Sequence, residues 1–565
     1  MQKRTTQTHQ LLSGKSVRRA WRFYALWFLL CVAVAGILWR LVDLNILDRS
    51  FLLRQSKARI LRDVSIPAYR GMITDRLGVP LAISTPVDSL WINPQLFQPT
   101  PAQLSRLAHF LGLSLSFIRR EAEQKWNPRR QFVYLKRGNP PCIAKEVLAL
   151  HIPGVFLKRE YRRYYPEGEV TAHVIGLTNI DDQGQEGLEL AYNQWLAGRP
   201  GEDEVVKDRL GHIIADVASL KKPLQGHNLV LSIDHRIQYL AYRALKETVS
   251  DYHAKSGSII VLDVKTGEIL AMVNQPSYNS NNRPRNYDGR YRNRAVTDMF
   301  EPGSVIKPFA IAFALESGKY TRDTKIDTNP GWMKIGGYRI SDDGLNYGII
   351  TLTQLLQYSS NIAAAKILLS LKPDHYYALL RALGFGERTT SGFPGESMGA
   401  LVFHNTWVPS VVATLAFGYG LAATTLQLAQ GYAILASGGI KRPVSFVKVY
   451  QPPPGIRVLP EKITTTIVKM LETVTQRGGT GTRSQICGYR VAGKTGTAYI
   501  AGPNGYDKHH YMSSFVGMAP VNNPQLVVAV VIRDPQAKHS GGVVAAPLFS
   551  KIMSGSLRLL DIPPK

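Results

Sequence analysis

Cysteine is nearly absent from this chain: three in 565 residues, at positions 31, 142 and 487. Cys31 falls inside an apolar run, which leaves Cys142 and Cys487 far apart, so no disulfide framework is implied even in a compartment that would permit one. Metal-ligand spacing is missing too. His509-His510 has neither a C-x-x-C nor an H-E-x-x-H partner and reads as a solvated loop, so no metal and no cofactor are expected. Acidic residues are few: 41 Asp+Glu stand against 68 Lys+Arg, a formal charge of +27. That surplus calls for an anionic neighbour, whether nucleic acid, acidic lipid or an acidic wall polymer. There is no internal repeat and no long low-complexity linker. The length excludes a single small domain and predicts two or more folded units, each with its own core.

Long apolar runs are also scarce, and the one that occurs decides the compartment. From Phe23 to Trp39 every residue is apolar, small or aromatic, and with its flanks the stretch is long enough to span a bilayer. Trp21, Tyr24 and Trp39 suit the interfaces, and Lys3, Arg4, Lys15, Arg18, Arg19 and Arg22 all precede the run. The positive-inside rule then predicts a cytoplasmic tail over 1–22, a transmembrane helix over 23–42 and everything after Leu44 outside. Trp39-Arg40-Leu41 offers no small-residue cleavage site, so the segment reads as an uncleaved anchor rather than a removed signal. Basic pairs at Arg119-Arg120, Arg129-Arg130, Lys158-Arg159 and Arg162-Arg163 read as solvated faces, and the topology argues against a nucleic-acid partner.

Helical patterns are predicted over Leu44–Lys57, Pro101–Leu111 and Ser116–Gln124, with an extended segment at Val64–Tyr69 and a turn-rich ribbon between Gly71 and Gly78. A new unit is expected from Leu229, opening with a helix at His235–Val249 and then a hairpin whose turn is Lys265-Thr266-Gly267.

Chemistry is concentrated in three short motifs in fixed order: Ser304-Val305-Ile306-Lys307, Ser359-Ser360-Asn361 and Lys494-Thr495-Gly496-Thr497. Each has imitators on the same chain. Ser219 to Lys222 and Ser445 to Lys448 also read S-x-x-K, Ser277 to Asn279 reads S-x-N, and Lys255-Ser256-Gly257 and Lys265-Thr266-Gly267 mimic the third. Context separates them. Pro308 is tolerated only in a first helical turn, which predicts Ser304 at a helix N-terminus where unsatisfied N–H groups stabilise an oxyanion. Lys307, one turn on in an apolar helix, is expected to be desolvated and to serve as the base that deprotonates Ser304. Ser359 and Asn361 join two helices, where the serine would relay a proton to a leaving amine and the asparagine would hold a substrate amide. The bland alternative for that pair is helix capping. Lys494 to Thr497 read as strand: Lys494, Thr495 and Thr497 for a carboxylate, Gly496 for close approach, and the Thr497 N–H as a second oxyanion donor. A substrate would lie along this strand as an added one.

These motifs, with Arg70-Gly71 to Gly78, Asn293-Arg294-Ala295 to Phe300-Glu301-Pro302-Gly303, Gly418-Tyr419-Gly420 and Asp534-Pro535-Gln536-Ala537, resemble the class B penicillin-binding proteins, specifically the septal, FtsI-type transpeptidases of Gram-negative bacteria. The resemblance implies an α+β (mixed α/β) fold: an anchor, an elongated non-catalytic pedestal over 43–228, and over 229–560 a penicillin-binding, serine β-lactamase-like domain with an antiparallel sheet flanked by helices. It implies a peptidoglycan D,D-transpeptidase in the inner membrane, periplasmic and at the division septum, and a target of β-lactams. Ser304, Lys307, Ser359, Asn361 and Lys494 would be catalytic, and Thr495, Gly496 and Thr497 would bind substrate. The partners implied are stem peptides as D-Ala-D-Ala donor and amine acceptor, β-lactams, the membrane, a septal SEDS-type glycosyltransferase and other division proteins.

A bifunctional class A enzyme is disfavoured because only about 190 residues separate the anchor from Leu229, and no E-D-x-x-F signature is present. The elongation type usually ends its second motif in aspartate, whereas this chain has Asn361. A penicillin-sensing receptor or β-lactamase, and a scaffold built on the pedestal, remain open at this point.

Overall fold

The computed structural model describes residues 13–52, 61–123, 131–207, 213–283, 289–502 and 505–564. Lys3, Arg4, Lys57, Gln124 and the Arg129-Arg130 pair lie outside the described residues. Helix α1 (Ser13–Val42) runs into a π turn at Asp43–Leu47. Across the helix and this turn Trp21–Leu47, 27 residues, is long and apolar enough to cross a membrane, with a mean hydropathy of 2.2 and nothing buried over its most apolar 18-residue window. No other helix among the described residues passes that test.

The next region contains β1 (Leu61–Ile66), β2 (Ile73–Thr74), β3 (Pro80–Ile92), α2 (Pro101–Leu111), α3 (Leu115–Glu123), β4 (Val133–Asn139), β5 (Val155–Tyr164), β6 (Gly201–Lys207) and β7 (Ile213–Lys221). Strands β1, β6 and β7 form an antiparallel arm, while β2, β3 and β4 make a second sheet to which β5 adds along β3. Helix α2 matches its predicted span because Thr100 and Gln103 close a capping box at one end and Gly112 takes the left-handed conformation at the other. The Arg162-Arg163 pair is not a solvated face throughout. Strand alternation turns Arg163 inward, where its Nε donates to Glu189 at 2.6 Å with both side chains buried.

Strand β8 (Leu229–Val230) pairs in parallel with β2. The same segment then attaches to the C-terminal region, through Ser232 N to Phe446 O at 2.8 Å and Asp234 N to Leu270 O at 2.9 Å. Helix α4 (His235–Asp251) follows, capped by Asp234. Strands β9 (Ser256–Asp263) and β10 (Ile269–Gln275) are joined by the predicted turn, where Gly267 has φ +76° and Asp263 Oδ1 accepts from the N–H groups of Lys265 and Thr266.

The elements that follow and bear on the site include α5 (Lys307–Glu316), β11 (Trp332–Ile335), β12 (Tyr338–Ser341), α6 (Leu352–Tyr358), α7 (Asn361–Leu369), α8 (Thr425–Ala436), α9 (Glu461–Thr475), β13 (Ala492–Gly502), β14 (Gly505–Ala519), β15 (Leu526–Arg533) and α10 (Gly541–Leu559). The main sheet is wholly antiparallel in the order β10-β9-β15-β14-β13. Helices α4 and α10 cover one face, burying Ile237, Leu245, Phe515 and Phe549. The other face packs against α5, α8 and α9 through Ile260, Phe309, Leu428, Leu471 and Val516. Central strands covered on both sides read as continuous apolar runs, as in Ile259–Leu262 and Leu526–Ile532. Strand β13 is left at the edge, with one side free of any strand partner among the described residues. His509-His510 lies on β14 rather than in a loop, with His510 Nδ1 2.6 Å from Asp534 Oδ1. All three cysteines are free and exposed.

Candidate active site

Ser304 lies in a 3₁₀ turn, Gly303–Ile306, that runs directly into α5 with Pro308 in its first turn. The expectation of an α-helical N-terminus is thus corrected by one turn. The reason is a close approach from a distant part of the chain: Gly303 has φ +60°, and a Cβ on Gly418 would sit 2.1 Å from Gly303 O, so the two backbones are pressed together. A 3₁₀ turn has three residues per turn, which stacks Ser304 and Lys307 one above the other. The turn is fixed further by Tyr432 Oη donating to Val305 O at 2.8 Å and by Gly420 N donating to Glu301 Oε1 at 2.8 Å.

Lys307 is fully buried in a helix whose residues 307–314 are all buried. Its hydrogen bonds go to the second motif rather than to Ser304: Nζ donates to the Ser359 carbonyl, to Asn361 Oδ1 at 2.7 Å and to Ser359 Oγ at 3.2 Å. Burial pulls its pKa down to about 7, against the opposing pull of Asp342 and Asp343. A neutral amine has two hydrogens and one lone pair. The Ser359 carbonyl and Asn361 Oδ1 can only accept, so they take both hydrogens and leave the lone pair for a hydroxyl proton.

Ser359 ends α6 in the left-handed conformation, φ +66°, and Ser360 caps α7 through Ala363 N. Side-chain capping is therefore real here, but it belongs to Ser360, and the flanking Ser359 and Asn361 side chains are turned to the lysines of the other two motifs. Lys494 reaches the same hydroxyl from β13, its Nζ donating to Ser359 Oγ at 2.9 Å. It is also fully buried, and its pKa is driven far down by burial and then by the Lys307 charge. With Lys307 neutral, Ser359 Oγ accepts from Lys494 and its own proton can face the Lys307 lone pair 3.2 Å away. Asn361, expected to hold a substrate amide, gives Oδ1 to Lys307 and one N–H to Ser341 O at 3.0 Å, which leaves one N–H for a ligand.

Thr495 is buried with its hydroxyl 2.8 Å from that of Thr480, while Thr497 is exposed and accepts from Gly541 N at 3.1 Å. A Cβ on Gly496 would meet Ser514 Oγ at 2.3 Å and Val305 Cγ1 at 3.0 Å. The glycine is demanded first by the packing of β13 on β14 and on the Ser304 turn. The imitators share none of this. Ser219 is exposed on strand β7, Ser445 Oγ bonds Val447 O, Lys448 bonds Arg76 O, and Ser277 Oγ bonds Glu169 O.

Two family profiles tile the chain. One described as "Penicillin-binding Protein dimerisation domain" matches residues 65–231, and one described as "Penicillin binding protein transpeptidase domain" matches residues 257–554. The chain belongs to the penicillin-binding protein transpeptidases. It is 42% identical over 551 residues to the peptidoglycan D,D-transpeptidase FtsI of Escherichia coli (strain K12), covering 96% of this chain and 93% of the relative. It is 43% identical over 550 residues to the probable peptidoglycan D,D-transpeptidase PbpC of Pseudomonas aeruginosa, covering 97% of each. Among solved structures, the transpeptidase domain of Burkholderia pseudomallei penicillin-binding protein 3 superposes with a TM-score of 0.55 at 40% identity, covering 59% of this chain and 97% of that one.

One residue that positions the site in this penicillin-binding protein escaped the sequence. Asp342, immediately after β12, accepts from Ser360 Oγ at 2.6 Å, Asn361 N at 2.6 Å and Ile362 N at 3.1 Å, so it holds the second motif and the start of α7. Nothing near Asp342 in the sequence marks it off from an ordinary turn acid.

Proposed function

We propose that this chain is the septal D,D-transpeptidase of its cell, with Ser304 as nucleophile and Lys307 as its base. The observation that carries the assignment is the convergence of Lys307 and Lys494 on one hydroxyl, Ser359 Oγ, beside the turn that presents Ser304. Neutral Lys307 takes the Ser304 proton as Oγ attacks the carbonyl of the penultimate D-alanine in a stem peptide. The N–H groups of Ser304 and Thr497 stabilise the oxyanion, and the donor peptide lies along the free edge of β13. As the amide C–N bond breaks, Ser359 passes a proton to the departing D-alanine nitrogen and is reprotonated from the lysine pair, which leaves an ester on Ser304. An acceptor amine then attacks that ester and gives its proton to Lys307, and a new amide forms as Ser304 Oγ leaves and takes that proton back. A β-lactam carbonyl would enter by the first step and stop at the ester.

On this reading residues 1–22 are cytoplasmic, 23–42 cross the inner membrane, 43–228 form the pedestal and 229–560 the catalytic domain outside, working at the septum beside a SEDS-type glycosyltransferase and other division proteins. The test is acylation of the full-length protein by labelled penicillin, with mass mapping of the modified peptide. A stable adduct on Ser304, absent from Ser304→Ala, is expected. Labelling that persists in the alanine variant overturns the assignment, and rapid release of the drug makes the protein a hydrolase instead.

A further inference from the structure

Strands β11 and β12 form a hairpin whose two faces differ in kind. Met333 and Ile335 pack against the core and Ile340 is buried. The opposite face carries the directly opposed pairs Trp332–Ser341 and Lys334–Arg339, with Trp332, Lys334 and Arg339 exposed. Two cations placed directly across a strand pair repel one another and cost stability. Neither has an ion-pair partner among the described residues. The Arg339 guanidinium lies 4.8 Å from the centre of the Trp332 ring, which holds it flat and extended with its N–H groups unspent on any acid. The strip ends on the active site: Ser341 O accepts from Asn361 Nδ2, and the next residue, Asp342, holds the second motif.

We propose that this face is a subsite for the acceptor strand: a glycan carrying stem peptides, whose free carboxylates sit on Lys334 and Arg339 and whose peptide or sugar face lies on Trp332. The inference rests on the transpeptidase reading and deepens it. The donor takes the free edge of β13, whereas the hairpin is bonded to Asn361 on the motif-two wall of the cleft, so it is open to the second substrate. Uncompensated like charges are otherwise an expense with no return, and stem peptides are rich in the carboxylates they fit.

The test uses the full-length protein in detergent and soluble, uncross-linked glycan strands bearing stem pentapeptides, with binding measured at low and at physiological salt. Lys334→Glu with Arg339→Glu should weaken binding roughly tenfold and flatten its salt dependence. Trp332→Ala should weaken it several-fold, and Lys334→Arg with Arg339→Lys should restore most of it. Strands whose carboxylates have been amidated should bind the native protein as poorly as native strands bind the charge-reversed one. Equal affinity of native and charge-reversed protein, or of native and amidated strands, overturns the proposal. So does binding of the strip to anionic lipid vesicles that the strands fail to displace, which would make it a membrane contact. Penicillin labelling of Ser304 in each variant keeps the outcomes distinct: failure of strand binding with labelling intact in the native protein refutes the subsite alone, whereas absence of labelling in the native protein refutes the transpeptidase reading.

Discussion

Lys307 and Lys494 share Ser359 Oγ, and neither has any exposed surface. Two ammonium groups so placed repel each other where water cannot screen them, so the dry site favours a state with at least one neutral amine. Lys494 is depressed by burial and then by the charge of Lys307. Lys307 falls by burial to about 7, while Asp342 and Asp343 pull the other way. A general base works when deprotonated, so acylation should rise as pH climbs through about 7 and level off above it. The second-order rate constant for penicillin acylation, measured from about pH 5 to about pH 9, checks this. A flat profile across that window removes Lys307 as the base. Lys307→Arg, which stays charged throughout, should lose about 10²-fold or more in the same measurement.

At the scale of elements, the site depends on how a loop between two helices is held. Ser359 sits at φ +66°, a conformation that non-glycine residues take only when surrounding contacts require it. Those contacts come from β12, through the three donors gathered by Asp342 at the start of α7. Asp342→Asn should lower stability by about 1–3 kcal/mol, because buried donors lose a charged acceptor. A second readout separates positioning from mere support. The Asp342 charge raises the Lys307 pKa, so removing it should move the acid limb of the acylation profile to lower pH. An unshifted limb in a folded variant would confine Asp342 to a structural role. Helix α2 and the turn at Lys265–Gly267 carry their caps and glycine locally, so their patterns sufficed. The three motifs were legible because each lies within four consecutive residues. The 3₁₀ turn at Ser304 was not, since it follows from Gly418 pressing on Gly303, and Asp342 reaches Asn361 across 19 residues that only folding brings together. The buried Arg163 is not marked in the sequence, because a basic pair says nothing about which member a strand turns inward.

At the scale of the whole molecule, the N-terminal region and the catalytic sheet are continuous. Ile73, Leu81, Leu188 and Leu196 belong to the same apolar cluster as Ile233, Ile269 and Met272. Where they meet, Glu189 receives Arg70 Nε and Arg163 Nε, each at 2.6 Å, with all three side chains at most 1% exposed. Arg70 also donates to Glu189 O and Asn193 Oδ1, both at 2.8 Å, so this segment before β2 is tied to β5 and to the helical turn at Gly187–Ala191. Such a triad adds little over a well-packed apolar replacement, but breaking it leaves two cations buried without a counterion. Glu189→Ala should therefore cost about 3–5 kcal/mol, read as a lowered midpoint in denaturant or heat. Because the core runs through both regions, that loss should appear in one cooperative transition rather than as early melting of the N-terminal part. Penicillin acylation well below the midpoint should stay within a few-fold of native, since Glu189 touches none of the three motifs. A loss under about 1 kcal/mol would rank the triad with exposed ion pairs, and two separated transitions would show that the regions fold independently despite their shared core.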